Sequence, residues 1–144
     1  MVDLAWCKRQ VRGISLIEEK KHLSESYLKE SWDSFQTCLK IEGKWRVVTG
    51  YYSCYNAFYS VLMRCGIKSE IHDCSIKLMS LFDFIDEDIL FIQKLKKKRI
   101  NAQYYLKEVK LEEINKVKSF VSKCERILED LNNEKIKEIR EKLR

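Results

Sequence analysis

Not one proline interrupts this chain of 144 residues, and only four glycines do. A β fold of that length turns back on itself many times and recruits both residues into its turns, whereas helix interiors exclude the first and spare the second. With 35% of residues charged, the pattern predicts an all-α protein. Hydrophobic residues make up 45%, enough for one core, and no apolar run reaches the length needed to span a bilayer. A single soluble helical domain over 1–144, with no membrane partner, is therefore expected.

Apolar periodicity places the helices. Val48, Tyr52, Tyr55, Tyr59 and Leu62 recur in steps of four and three, the stripe of a buried central helix over 45–65 that Gly66 stops. Ile114, Val117, Val121, Cys124, Leu128 and Leu131 mark a long helix from about residue 111, which passes into a charged tail over 132–144, extended helix or mobile end. Between them, Ile71, Cys74, Leu78, Leu81 and Phe82 predict a short helix. Ile85, Ile89, Ile92 and Leu95 open another that runs to about residue 105, with Asp86 as its cap. Upstream, Ser24 is expected to cap a helix through Tyr27, Trp32, Phe35 and Leu39, turned by residues 41–44 into an antiparallel neighbour of the central helix. A short helix over 2–10, released by Gly13, would dock through Trp6. The sum is four main helices, a short N-terminal one and an extended C-terminal one, with the core over about 23–131.

Six cysteines, Cys7, Cys38, Cys54, Cys65, Cys74 and Cys124, form no C-x-x-C pair, and His22 and His72 lie outside zinc-ligand spacing, so neither a metal nor a cofactor is expected. The first residues lack the basic and apolar regions of a leader, which predicts a cytoplasmic protein whose cysteines serve mostly as small core hydrophobes.

The chemistry concentrates at residues 94–105. Five of the six residues from Lys94 to Arg99 are cationic, and Tyr104 and Tyr105 follow on the same expected helix. That is more charge than Asp86, Glu87, Asp88 and Glu108 can neutralise at helical spacing. A solvated face explains the lysines equally well. The net charge of +6 permits a polyanionic partner without requiring one. The tyrosines around Tyr55 are expected to pack the core with paired hydroxyls. Asn56, polar among them, should face a partner, either Arg99 across the bundle or a second subunit.

The order of these signals resembles the HEPN-domain proteins, of the small stand-alone archaeal and bacterial type. A hairpin helix comes first, then Tyr51-Tyr52-Ser53-Cys54-Tyr55-Asn56-Ala57-Phe58-Tyr59, Gly66-Ile67, His72 opening a helix, and Lys98-Arg99-Ile100-Asn101-Ala102-Gln103-Tyr104-Tyr105. The likeness covers about 23–131. It implies an up-and-down helical bundle that forms a homodimer, often paired with a nucleotidyltransferase-like protein in a toxin-antitoxin-like system. Many members are metal-independent ribonucleases with an Arg-x4-6-His motif, the arginine stabilising charge at the scissile phosphate and the histidine handling the proton of the 2′-hydroxyl. From Arg99 those spacings fall on Tyr104, Tyr105 and Leu106. The related Arg-x3-Asp-Tyr pattern has Gln103 in place of the acid.

A phenol with a pKa near 10 is a poor general base at neutral pH. Arg99, Tyr104 and His72 are the candidate catalytic residues, and Arg99, Asn101, Tyr104, Lys97, Lys98 and Asn56 the candidate RNA- or nucleotide-binding set. The expected function is RNA or nucleotide binding with degenerate ribonuclease chemistry. The alternative is a non-catalytic dimeric helical interaction protein that binds no nucleic acid. Arg99 also has a purely structural reading, an ion pair with Glu87 or Asp88, and Tyr104 one as a half-buried packing residue. His72 has its own, as a packing or capping side chain.

Overall fold

The computed structural model describes residues 2–144. It is all-α apart from one two-residue strand pair. The helices are α1 (Leu4–Arg9), α2 (Lys21–Lys40), α3 (Lys44–Arg64), α4 (His72–Leu78, continued by a 3-10 turn Met79–Leu81), α5 (Asp86–Tyr104), α6 (Ile114–Asp130) and α7 (Asn133–Glu141). Strands β1 (Ser15–Leu16) and β2 (Ile67–Lys68) pair antiparallel, Ser15 opposite Lys68. Among the described residues, no helix is long and apolar enough to cross a membrane.

α2 and α3 form an antiparallel hairpin, turned at Gly43, whose φ of 73° suits glycine. Serines let the two backbones approach. Ser24 donates to the Ser60 carbonyl at 2.7 Å, and Ser31 and Ser53 each donate to the other's carbonyl. Ser24 thus lies inside α2 as a bridge to α3; the helix begins three residues earlier, at Lys21, so the expected serine cap is corrected. α3 is the buried centre, with α2, α5 and α6 packed around it. Tyr51, Cys54, Ala57, Phe58, Val61 and Leu62 fill the space between them.

Several expected ends differ. The N-cap of α5 is Ile85, whose N–H donates to the Asp88 carboxylate one turn on at 3.0 Å, while Asp86, the expected cap, is the first helical residue. Trp6 is exposed; Cys7 is the buried residue of α1, and its sulfur bonds to Cys74 of α4, 67 positions away. The other four cysteines are free and buried, as core hydrophobes. Burial pushes the Cys65 thiol up to about 12, leaving it a small apolar side chain at neutral pH.

The tail neither frays nor projects. Asn132 caps α7 by accepting the Lys135 N–H, and Ile136, Ile139 and Leu143 are buried in the core. Arg140 Nη1 donates to the carbonyls of Ile17, Cys65 and Gly66 at 2.8, 3.0 and 2.8 Å. One guanidinium therefore satisfies carbonyls at the end of α3 and beyond β1 together.

Candidate functional site

Arg99 faces inward. It lies on α5 in phase with Ile92, Leu95 and Ala102, all buried, and is itself only 7% exposed. The spacing of three, four and three was present in the sequence, where the surrounding lysines obscured it. Among the described residues no carboxylate pairs with Arg99: Asp88 is held by Lys123 at 2.6 Å, Asp73 by Lys96 at 2.7 Å, and Glu87 reaches no cation. The ion pair with Glu87 or Asp88 that the structural reading of Arg99 would use is absent among the described residues.

Aromatic rings take its place. The guanidinium carbon sits 4.9 Å from the Tyr51 ring centre, 5.5 Å from Tyr52 and 6.0 Å from Tyr104. Nη1 donates to Gln103 Oε1 at 3.1 Å and to the Tyr52 hydroxyl at 3.4 Å, while Nε is buried with no partner. Cation–π contact favours the charge by about 0.5–2 kcal/mol, yet an orphaned buried donor costs about 1–3 kcal/mol.

His72, the first residue of α4, joins the same cluster. Its ring stacks on Tyr55 with centres 4.1 Å apart and lies 5.8 Å from Tyr51. Its Nδ1 is 2.8 Å from the Tyr51 hydroxyl. Three neighbours fix the turn that carries it: Asp73 pairs with Lys96, Cys74 is bonded to Cys7, and Ser75 Oγ meets the Tyr55 hydroxyl at 2.9 Å. Burial first, then the charges of Arg99 and Lys96, push the His72 pKa down to about 4 against a smaller opposing pull from Asp73. The imidazole is therefore neutral at pH 7.

The tautomer follows from satisfying both groups. Tyr51 is fully buried, and desolvation raises its phenol far above the usual range, so it keeps its proton. With no other acceptor in reach among the described residues, that proton goes to His72 Nδ1, and the remaining imidazole proton sits on Nε2. Arg99 and His72 Nε2–H are then both donors, while Lys96 is already paired with Asp73. Such a cluster suits an anion; its one imidazole acceptor is occupied by Tyr51, so it lacks a free base for proton abstraction.

The other expected residues divide. Tyr104 is 69% exposed beside Arg99, so the half-buried packing role is excluded. Lys97 is exposed and pairs with no carboxylate among the described residues. Lys98 turns away from Arg99, its Nζ donating to the Lys110 carbonyl at 3.1 Å; with the Asn101 backbone carbonyl, which accepts the Lys107 N–H at 3.0 Å, it ties residues 105–113 to α5. Asn56 is half-buried on α3 and bonds neither to Arg99 nor to another described side chain. Tyr51, Tyr52 and Gln103 were not singled out for the site; Gln103, four residues after Arg99, was the legible hint. The tyrosine hydroxyls expected to be paired are so: Tyr52 with Arg99, Tyr55 with Ser75, and Tyr59 with the Ser69 N–H.

Compared with family models, with curated proteins and with solved structures, the chain has no match.

Proposed function

We propose that this protein is a HEPN-type helical module that holds the phosphate of an RNA or nucleotide at Arg99 without cleaving it. The observation that carries this reading is a buried guanidinium with no carboxylate partner and an orphaned Nε. Burying an unpaired charge costs several kcal/mol, a cost that selection for stability alone removes. A phosphate offers the guanidinium acceptor oxygens and a compensating charge; because Nε is closed to solvent, its binding requires the neighbouring Tyr104 ring to move aside. Lys97 and the exposed Lys94 extend the positive field along α5. The donor-only character of His72 supports binding over catalysis. Pairing with a nucleotidyltransferase-like protein, in a toxin-antitoxin-like system, and self-association as a homodimer rest on the family resemblance and belong to the same proposal.

The test is fluorescence anisotropy with labelled single-stranded RNA, and calorimetry with a mononucleotide, across a salt series. Affinity should fall steeply with salt, and Arg99→Met should weaken it by about tenfold to a hundredfold, the loss of a charge-assisted contact worth about 1.5–3 kcal/mol. The RNA should remain intact after incubation. Absence of binding at low salt, or an unaffected Arg99→Met variant, would leave the helical interaction protein without nucleic-acid binding as the better reading.

A further inference from the structure

The Cys7–Cys74 bond joins a weakly held helix to the rest of the molecule. α1 has six residues, too few to be stable as a helix in water by itself, and it packs on α4. Cys7 is its one buried side chain; Leu4, and Val2 before the helix, are partly covered, and Ala5, Trp6, Lys8 and Arg9 face solvent. Two hydrogen bonds to other parts of the chain assist. The Lys8 ammonium donates to the Arg144 carbonyl at 3.1 Å, and the Cys7 carbonyl accepts the Ile14 N–H at 3.0 Å. A side chain at Gly13 would run into that same carbonyl, so the returning chain is shaped for the docked position of α1.

From Arg12 onward the chain is held without α1. The Arg12 carbonyl accepts the Glu70 N–H at 2.9 Å, β1 pairs with β2, and the Ile17 and Lys20 N–H groups donate to the carbonyls of Gly66 and Met63. Val11, between this anchor and α1, is wholly exposed, which places the pivot at residues 10–11. On the other side of the bond, the first turn of α4 keeps two fastenings that do not involve Cys74, Asp73 with Lys96 and Ser75 with the Tyr55 hydroxyl. Ile76 and Leu78 of α4 are buried besides. Breaking the bond therefore removes the main fastening of α1 and one of several of α4. The N-terminal segment also borders a cleft of about 510 Å3 between α4 and α5, where Val2 shares the wall with Ile76, Ile89 and Leu90.

We infer that the Cys7–Cys74 bond is a redox latch. Oxidised, it straps residues 2–10 across α4, beside the α4–α5 cleft. Reduced by a dithiol, it frees that strap from a bundle that stays folded, and it opens Cys7 and Cys74 to modification by disulfides and electrophiles. None of this depends on the reading of Arg99. Both sulfurs are fully buried, so attack follows fraying of α1, whose outer face is already in water. A thiolate of the dithiol bonds to one sulfur, and the other leaves as a thiolate and takes a proton. The second thiol of the reductant then resolves the mixed disulfide. Two electrons and two protons pass to the protein and the reductant becomes a cyclic disulfide. With the bond gone, one buried cysteine, a partly covered leucine and valine and a surface lysine do not offset the entropy of ordering the segment. The strap then docks as a minor state, which a disulfide oxidant traps by the reverse exchange. Cys38, Cys54, Cys65 and Cys124 stay closed throughout, because they are buried in or beside α2, α3 and α6.

Alkylation by N-ethylmaleimide, read by intact mass and peptide mapping, tests this on the full chain without denaturant, before and after dithiothreitol. The oxidised protein should not react. After reduction two of the six cysteines, Cys7 and Cys74, should be labelled at least about a hundredfold faster than the four buried thiols. Amide exchange over residues 4–9 should accelerate at least about tenfold on reduction while α2, α3, α5 and α6 keep their protection. Gly13→Ala burdens the docked state alone, so it should lower by about tenfold the ratio of reduced to oxidised dithiothreitol that opens half of the bonds. All six cysteines reacting together, or loss of the helical circular dichroism on reduction, would overturn the latch and make the bond a staple of the whole fold. A bond that dithiothreitol opens only in urea would overturn it equally. Unchanged exchange over 4–9 in the reduced protein would show that α1 docks without the bond, and reduced protein that oxidised dithiothreitol cannot close again would show that no reversible latch exists.

Discussion

Replacing Arg99 by methionine should raise stability while removing anion binding. In the folded protein the guanidinium pays for desolvation, several kcal/mol after relaxation, and for its orphaned Nε, about 1–3 kcal/mol. Against these stand the Gln103 bond at 3.1 Å, about 1.5–3 kcal/mol as a charge-assisted contact, and cation–π contact of about 0.5–2 kcal/mol. Methionine fills similar volume and gains sulfur–aromatic contacts of about 0.3–1.5 kcal/mol with Tyr51 and Tyr52. Gln103 and the Tyr52 hydroxyl, both on half-buried residues, can turn to water. The balance favours the variant by about 1–2 kcal/mol, a rise in Tm of about 3–6 °C for a chain of this size. Because the Arg99 charge helps to hold down the His72 pKa, that pKa should rise above about 4 in the variant. Calorimetric unfolding at pH 7 and NMR titration of His72 give the two readings, with the RNA titration beside them. A fall in Tm of several degrees with RNA affinity retained would refute the reasoning and make Arg99 a structural strut.

The remaining expectations concern the supports of the site. His72 titrates at about 4 when folded against 6.5 as the ordinary value, so below pH 6.5 the unfolded chain binds the extra proton. Its contribution is complete above that pH and is lost as pH falls towards 4, by no more than about 3 kcal/mol; urea unfolding at pH 7 and 4.5 should show a smaller acid loss in His72→Gln, and parallel losses would remove His72 as the cause. Cys74→Ser opens a cross-link between positions 67 apart and should cost about 4 kcal/mol by loop-closure entropy, read as a lower urea midpoint that the wild type reproduces under a thiol reductant; an unchanged midpoint would show that the bond does not constrain the unfolded chain. Arg140→Ala releases three carbonyls and should lower stability by about 2–3 kcal/mol, with Arg140→Lys recovering only part. Thermal unfolding followed by circular dichroism measures both, and full recovery by lysine would argue against the planar fork.

The all-α class and the positions of α2, α3, α5 and α6 were legible in the sequence, because helical periodicity and the lack of proline are local properties that each segment carries along its own length. So was the central place of α3, whose large apolar side chains occupy more than one face. The tail shows how a local reading falls short: Ile136, Ile139 and Leu143 have helical spacing, but the charges between them dominate the composition, and their burial, with Arg140 on the carbonyls of Ile17, Cys65 and Gly66, depends on distant parts of the chain. The Cys7–Cys74 bond depends on α1 meeting α4 across 67 residues of intervening chain. The site is of the same kind. Arg99 and His72 were candidates from residue type and order, but their meeting around Tyr51, the neutral imidazole and the missing carboxylate come from three helices converging. Charge and protonation at a point depend on everything packed around it, and that neighbourhood is assembled from distant parts of the chain.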